Sequence, residues 1–125
     1  MKNFIAKLKK VFYFCLFKYK LKVNKQIFSE IQALKRQLLP NERLILFGSQ
    51  ARGDEREDSD WDLLILLSKP KRSFDDYDNY GFPFTKIGWN YGVYISPKIY
   101  AISEWESNKP SIFHKNVEQE GIEIV

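Results

Sequence analysis

Two aspartates two residues apart, Asp60 and Asp62, open an apolar run, Asp60-Trp-Asp-Leu-Leu-Ile-Leu-Leu67. Just upstream, Leu44-Ile-Leu-Phe47 runs into a turn, Gly48-Ser-Gln-Ala-Arg-Gly53. Residues i and i+2 of a strand face the same way, so the two carboxylates would project side by side next to the turn. Such a pair repels itself unless a cation compensates it. Mg²⁺ suits the task, because it takes one or two carboxylates and fills its remaining positions with phosphate oxygens and water. Gly48 lets a ligand approach the backbone, and Ser49 offers a hydroxyl and an amide. A helix beginning there would turn its first N–H groups toward a phosphate, with Arg52 as a further donor or as the partner of a nearby acid. Taken singly, each feature has an ordinary reading: Gly-Ser is common in turns, and two acids at the start of a strand are usually just solvated.

The elements that position these residues can be read from periodicity. Asn24 caps a helix whose stripe is Ile27, Phe28, Ile31, Leu34 and Leu38, ended by Pro40. Arg43–Phe47 and Asp60–Leu67 read as strands buried on both faces, with a charged loop, Asp54–Ser59, between them. Ser73–Tyr80 reads as helical turns broken by Gly81 and Pro83, and Thr85–Trp89 fits no one element type. Tyr91–Ile95 reads as a third strand ended by Pro97, and Ile99–Trp105 as a short strand or helix. Ile112–Glu120 reads as a helix stopped by Gly121, followed by a short strand or tail. The expected fold class is α/β (α+β), a small mixed sheet with helices packed on it.

Composition bounds the rest. A chain of 125 residues, 44% hydrophobic and 16% aromatic, is one domain's worth of sequence with a real core. One cysteine, Cys15, cannot form an internal disulfide, which fits a reducing compartment and a cytoplasmic location. The net charge of +4 is uneven: residues 1–25 hold eight lysines and no acids, so the remainder is acidic. A basic-protein reading therefore applies only to the N-terminal segment. Around the motif the acids Asp54, Glu55, Glu57, Asp58, Asp60 and Asp62 would repel a bare polyanion, which argues against a nucleic-acid ligand there.

Residues 1–24 interleave lysines with Phe4, Ile5, Leu8, Val11, Phe12, Cys15, Leu16 and Tyr19 at helical spacing. We read them as a helical extension packed on the domain or on a partner, in preference to a basic helix lying on anionic membrane. A secretory signal is disfavoured, because Lys18, Lys20 and Lys22 follow the apolar run with no small-residue cleavage site.

Together the two halves of the motif, Gly48-Ser49-Gln50-Ala51-Arg52-Gly53 and Ser59-Asp60-Trp61-Asp62-Leu63, resemble the minimal nucleotidyltransferases of the DNA polymerase beta-like superfamily. The tail from Glu104 to Gly121 looks similar as well, so the resemblance covers about residues 25–125. It implies the nucleotidyltransferase fold and transfer of a nucleoside monophosphate from ATP or another nucleoside triphosphate to an acceptor hydroxyl. In that reading Asp60 and Asp62 are the catalytic Mg²⁺ ligands, and Gly48, Ser49 and Arg52 bind the nucleotide. Small members resemble the antitoxin half of toxin–antitoxin pairs, so a separate HEPN-type protein is the implied partner. Catalytic members also add a third carboxylate from a neighbouring strand. The expected third strand, Tyr91–Ile95, has no acid, while Asp75, Asp76 and Asp78 precede it and Glu104 follows it. The alternative is therefore a catalytically weak relative that neutralises its partner by contact. His114, beside Lys115, reads as a surface residue rather than a catalytic one. Trp61, Trp89 and Trp105 read as core rather than as platforms for stacking bases.

Overall fold

The computed structural model describes residues 24–53, 60–107 and 111–125. The expected extension over residues 1–24 lies, apart from residue 24, outside the described residues, as does the expected charged loop over 54–59.

The first helix, α1, covers residues 24–38. Its 3.6-residue stripe is the one that faces inward: Ile27 and Ile31 are fully buried, and Phe28, Leu34 and Leu38 pack around them. Pro40 follows, in a turn that leads to strand β1, Arg43–Phe47. A single helical turn, α2 (Ser49–Arg52), and strand β2 (Trp61–Leu67) come next. β1 and β2 pair antiparallel, with Leu46 opposite Leu63 and Phe47 opposite Asp62.

Both strands are continuous apolar runs because the sheet is covered on both sides. Leu44, Leu46, Trp61, Leu63, Ile65 and Leu67 join α1 and Phe84 in one core cluster. Ile45, Leu64 and Leu66 point the other way, into a second cluster with Trp105 and Val117. Successive side chains of a strand alternate between faces, so each strand serves both clusters.

After β2 the chain makes a π-helical turn (Tyr77–Gly81) that runs directly into helix α3, Phe82–Trp89. The break expected at Gly81 and Pro83 does not occur. Pro83 lies at the start of α3, just after the π-helical turn, where the hydrogen-bond pattern changes over. Gly81 is buried where a β-carbon would lie 2.9 Å from the Tyr77 ring.

The third strand is also displaced from its expected place. Tyr91 and Val93 turn their N–H groups back to the Gly88 carbonyl, at 3.0 and 3.1 Å, and close the end of α3. Strand β3 instead spans Ile95–Ala101, with Pro97 inside it, and pairs parallel with β2. The sheet order β3-β2-β1-β4 makes β3 an edge strand, which has no outer partner for a proline to disappoint. Helices α4 (Ile102–Ser107) and α5 (Ile112–Glu120) cover the second face, and β4 (Ile122–Ile124) pairs antiparallel with β1. Among the described residues no helix is long and apolar enough to cross a membrane.

Two buried points are poised for measurement. Gly121 ends α5 with an extended backbone, so its role is space: a β-carbon would lie 2.5 Å from the Val117 carbonyl oxygen and 2.6 Å from Ile45 Cγ2. Gly121→Ala is expected to lower unfolding stability by about 1–3 kcal/mol, the usual cost of overpacking, as read by urea denaturation. Asp76 is 4% exposed, and its carboxylate is bound by the Lys69 ammonium at 2.7 Å and by the Ser73 N–H. Burial alone would push this carboxyl up, but Lys69 and Ser73 hold it below its ordinary value. Its stabilising contribution is complete above the usual carboxylate pKa and is lost as pH falls through the depressed folded value. Asp76→Asn should therefore destabilise the protein at neutral pH, by about 1–3 kcal/mol, and flatten its urea midpoint against pH below about 4.

Candidate active site

Asp62 lies on the side of the sheet covered by α4 and α5, and Asp60, just before β2, is close enough for its charge to act on it. Trp61 between them is 3% exposed and turned into the opposite core, and its N–H is held by the Tyr94 carbonyl at 2.9 Å. That anchorage fixes the start of β2 and leaves the Asp62 carboxylate on the other face. Asp60 is exposed and Asp62 is half-buried. The Asp62 carboxyl is pushed above its ordinary value, first by burial and then by the like charge of Asp60, while Lys98 and Arg52 oppose the rise. A divalent cation would relieve both causes at once, so the donor set fits a Mg²⁺ held by Asp60 and Asp62.

The Gly-Ser turn meets this carboxylate directly. Gly48 has φ of 75°, a left-handed conformation that L side chains rarely adopt. A β-carbon on Gly48 would also fall 2.5 Å from Asp62 Oδ2. The pairing of Phe47 with Asp62 is what brings them together. The Gly48 carbonyl accepts from the Ala51 and Arg52 N–H groups, both at 3.1 Å, which folds α2 back over the end of β1. Ser49 is the first residue of α2 and follows Gly48 immediately. Arg52 pairs with Glu120 across 3.4 Å, and its charge reaches Asp62. Gly48, Ser49, Arg52, Asp60 and Asp62 thus gather at one corner of the sheet.

Glu120 meets Arg52, but no third acid is placed to share one ion with Asp60 and Asp62: the described residues hold no group of three or more His, Cys, Asp or Glu so arranged. The strand beside β2 is acid-free in its observed range as well as in its expected one: Ser96 stands opposite Asp62 and Lys98 opposite Leu64. Asp76 is committed to Lys69, and Glu104 to Arg72 and the Ala101 N–H.

Paired residues share a face, so Lys98 projects on the same side as Asp62. Its ammonium lies 5.9 Å from the Phe47 ring centre and 5.1 Å from that of Phe113. The two rings meet edge-on at 5.5 Å. The expected end of the third strand at Pro97 left Lys98 outside the site. Alternation along a strand continued through Pro97 would have placed it there.

His114 is a correction. It is 8% exposed, not a surface residue, and stacks on Trp105 with ring centres 4.5 Å apart. Helical spacing from Val117 puts it on the inward side of α5, a relation its charged neighbour Lys115 conceals. Trp61 and Trp105 are core as expected, whereas Trp89 is 63% exposed and contacts Phe82 edge-on.

The chain is similar in sequence to known proteins. The family model for the nucleotidyltransferase domain matches residues 15–119. Two proteins of Methanocaldococcus jannaschii, both named as candidate protein adenylyltransferases, align with the chain. One is 37% identical over 79 residues, covering 63% of this chain and 73% of its own length. The other is 35% identical over 83 residues, covering 66% of this chain and 78% of its own length. With the Gly-Ser turn set against a paired-aspartate strand on a four-stranded mixed sheet, the chain belongs to the nucleotidyltransferase family, as a minimal nucleotidyltransferase.

Proposed function

We propose that the protein transfers AMP from ATP to a hydroxyl group on a separate protein. The observation that carries the reading is the close approach of the Gly48 backbone to the Asp62 carboxylate, which sets the Gly-Ser turn directly beside the aspartate pair. Asp60 and Asp62 hold Mg²⁺. Gly48 and Ser49 receive the triphosphate, and Arg52 lends it positive charge. A divalent cation held by Asp60 and Asp62 would supply positive charge for the phosphoryl oxygens and the departing pyrophosphate. The acceptor oxygen forms a bond to the α-phosphorus as the bond to the pyrophosphate oxygen breaks. Pyrophosphate leaves with that electron pair, and the hydroxyl proton passes to solvent.

A protein acceptor is supported by the names of the two archaeal relatives, and a cytoplasmic location by the single cysteine. We take residues 25–125 as the transferase unit and 1–24 as an extension. An antitoxin role, with a separate HEPN-type toxin as acceptor, is the biological setting we favour. The second reading, neutralisation by contact without turnover, is favoured by the missing third acid among the described residues. Loss of general-base help alone is worth roughly 10²–10⁴-fold in rate.

Labelled ATP, Mg²⁺ and the product of the adjacent gene separate the two readings. Label should move to the partner, and transfer should fall at least about a hundredfold in Asp60→Asn or Asp62→Asn and on adding EDTA, with circular dichroism unchanged. A tight complex that forms without transfer, and is indifferent to those substitutions, refutes the enzyme. Gly48→Ala should lose about 1–3 kcal/mol of stability from a positive-φ backbone open essentially to glycine alone, and should also displace Asp62. Its ATP affinity, read by calorimetry, should drop at least about tenfold.

A further inference from the structure

Lys98 occupies the strand from which a third carboxylate would reach the aspartate pair. β3 pairs in parallel with β2, so the positions that share the Asp62 face are Ser96, Lys98 and Tyr100, opposite Asp62, Leu64 and Leu66. None is an acid, and one is a cation. The lysine is not a loose surface charge. Its ammonium sits over Phe113 at 5.1 Å and over Phe47 at 5.9 Å, and Phe47 is the residue paired directly across from Asp62. The electron-rich faces of two rings favour a cation at this spot by about 0.5–1 kcal/mol each, even at an exposed position. The rings are themselves held, since Phe113 packs edge-on against the fully buried Trp105 at 5.6 Å.

We propose that Lys98 is a phosphate-binding residue of a one-metal site: its ammonium, steered by Phe47 and Phe113, contacts the phosphoryl oxygens of the triphosphate and supplies the positive charge that a second cation would otherwise bring. This rests on the reading of Asp60 and Asp62 as the metal pair. A lysine here also explains why no third acid is needed for charge balance. Two carboxylates and one ammonium around one divalent cation leave a net positive site for a polyanion. A second divalent cation beside Lys98 would meet like charge, with only Asp60 and Asp62 to share among the described residues.

The test uses the full-length protein, Mn²⁺ and a non-hydrolysable ATP analogue, with binding read by calorimetry and bound Mn²⁺ counted by electron paramagnetic resonance after equilibrium dialysis. The wild type is expected to hold one Mn²⁺ per chain at saturating analogue. Lys98→Met should weaken analogue binding roughly ten- to hundredfold, the worth of one charge-assisted contact, while the count stays at one. Lys98→Arg should restore most of the affinity. Lys98→Glu should raise the count toward two by completing an acidic trio. Unfolding midpoints of the variants are compared with that of the wild type, so that lost affinity is scored only on folded protein. Two Mn²⁺ per wild-type chain would overturn the proposal, and so would wild-type affinity in Lys98→Met. In either case, loss of Mn²⁺ in Asp60→Asn would leave the metal-pair reading standing. A wild-type protein that binds neither Mn²⁺ nor analogue overturns both.

Discussion

The site depends on one backbone register. Antiparallel pairing of β1 with β2 sets Phe47 opposite Asp62, and the next residue along, Gly48, then faces the Asp62 carboxylate at a distance no β-carbon would tolerate. Because side chains alternate along a strand, a slip of one residue would turn Asp62 into the core and Trp61 out to solvent. The register is held by the apolar residues that fill the two faces. Leu63, Ile65 and Leu67 are committed to one cluster, and Leu64 and Leu66 to the other. The hydrophobic effect thereby secures the geometry of a charged site in which none of those residues takes part.

The two faces of the sheet do different work. The face under α1 and α3 is wholly apolar and supplies most of the buried side chains. The other grades along its length, from Ile45, Leu64, Leu66 and Trp105 to Phe47, Lys98 and Asp62 at one corner. That gradient explains why Asp62 is half-buried and reluctant to ionise while Asp60, just before the strand begins, is exposed. It also explains the aromatic setting of Lys98. Phe113 and Trp105 continue the core toward the site, with the Lys98 ammonium lying over the Phe113 ring.

Much of the fold was legible from local pattern. α1, β1, β2 and α5 appear where periodicity puts them, because each buries a face whose spacing is written in its own residues. Two of the misreadings share a cause. By local pattern Pro97 reads as a terminator and Pro83 as a breaker, yet an edge strand and the start of a helix accept them. His114 reads as exposed from its neighbours in sequence, yet Trp105, nine residues away, covers it. At Pro97 and His114 the deciding neighbour, or the lack of one, belongs to another element of the fold.

The sequence alone determined the family and the five residues at the corner of the sheet, because Gly48, Ser49, Arg52, Asp60 and Asp62 lie within one short hairpin-like stretch whose geometry is local. Tertiary structure decided what surrounds them. Which strand lies beside β2, which of its residues shares the face of Asp62, and which rings hold that residue all follow from pairing across more than thirty positions of chain and from packing against α5. Side-chain periodicity reports which face a residue takes, but it carries no information about the neighbour that the face will meet.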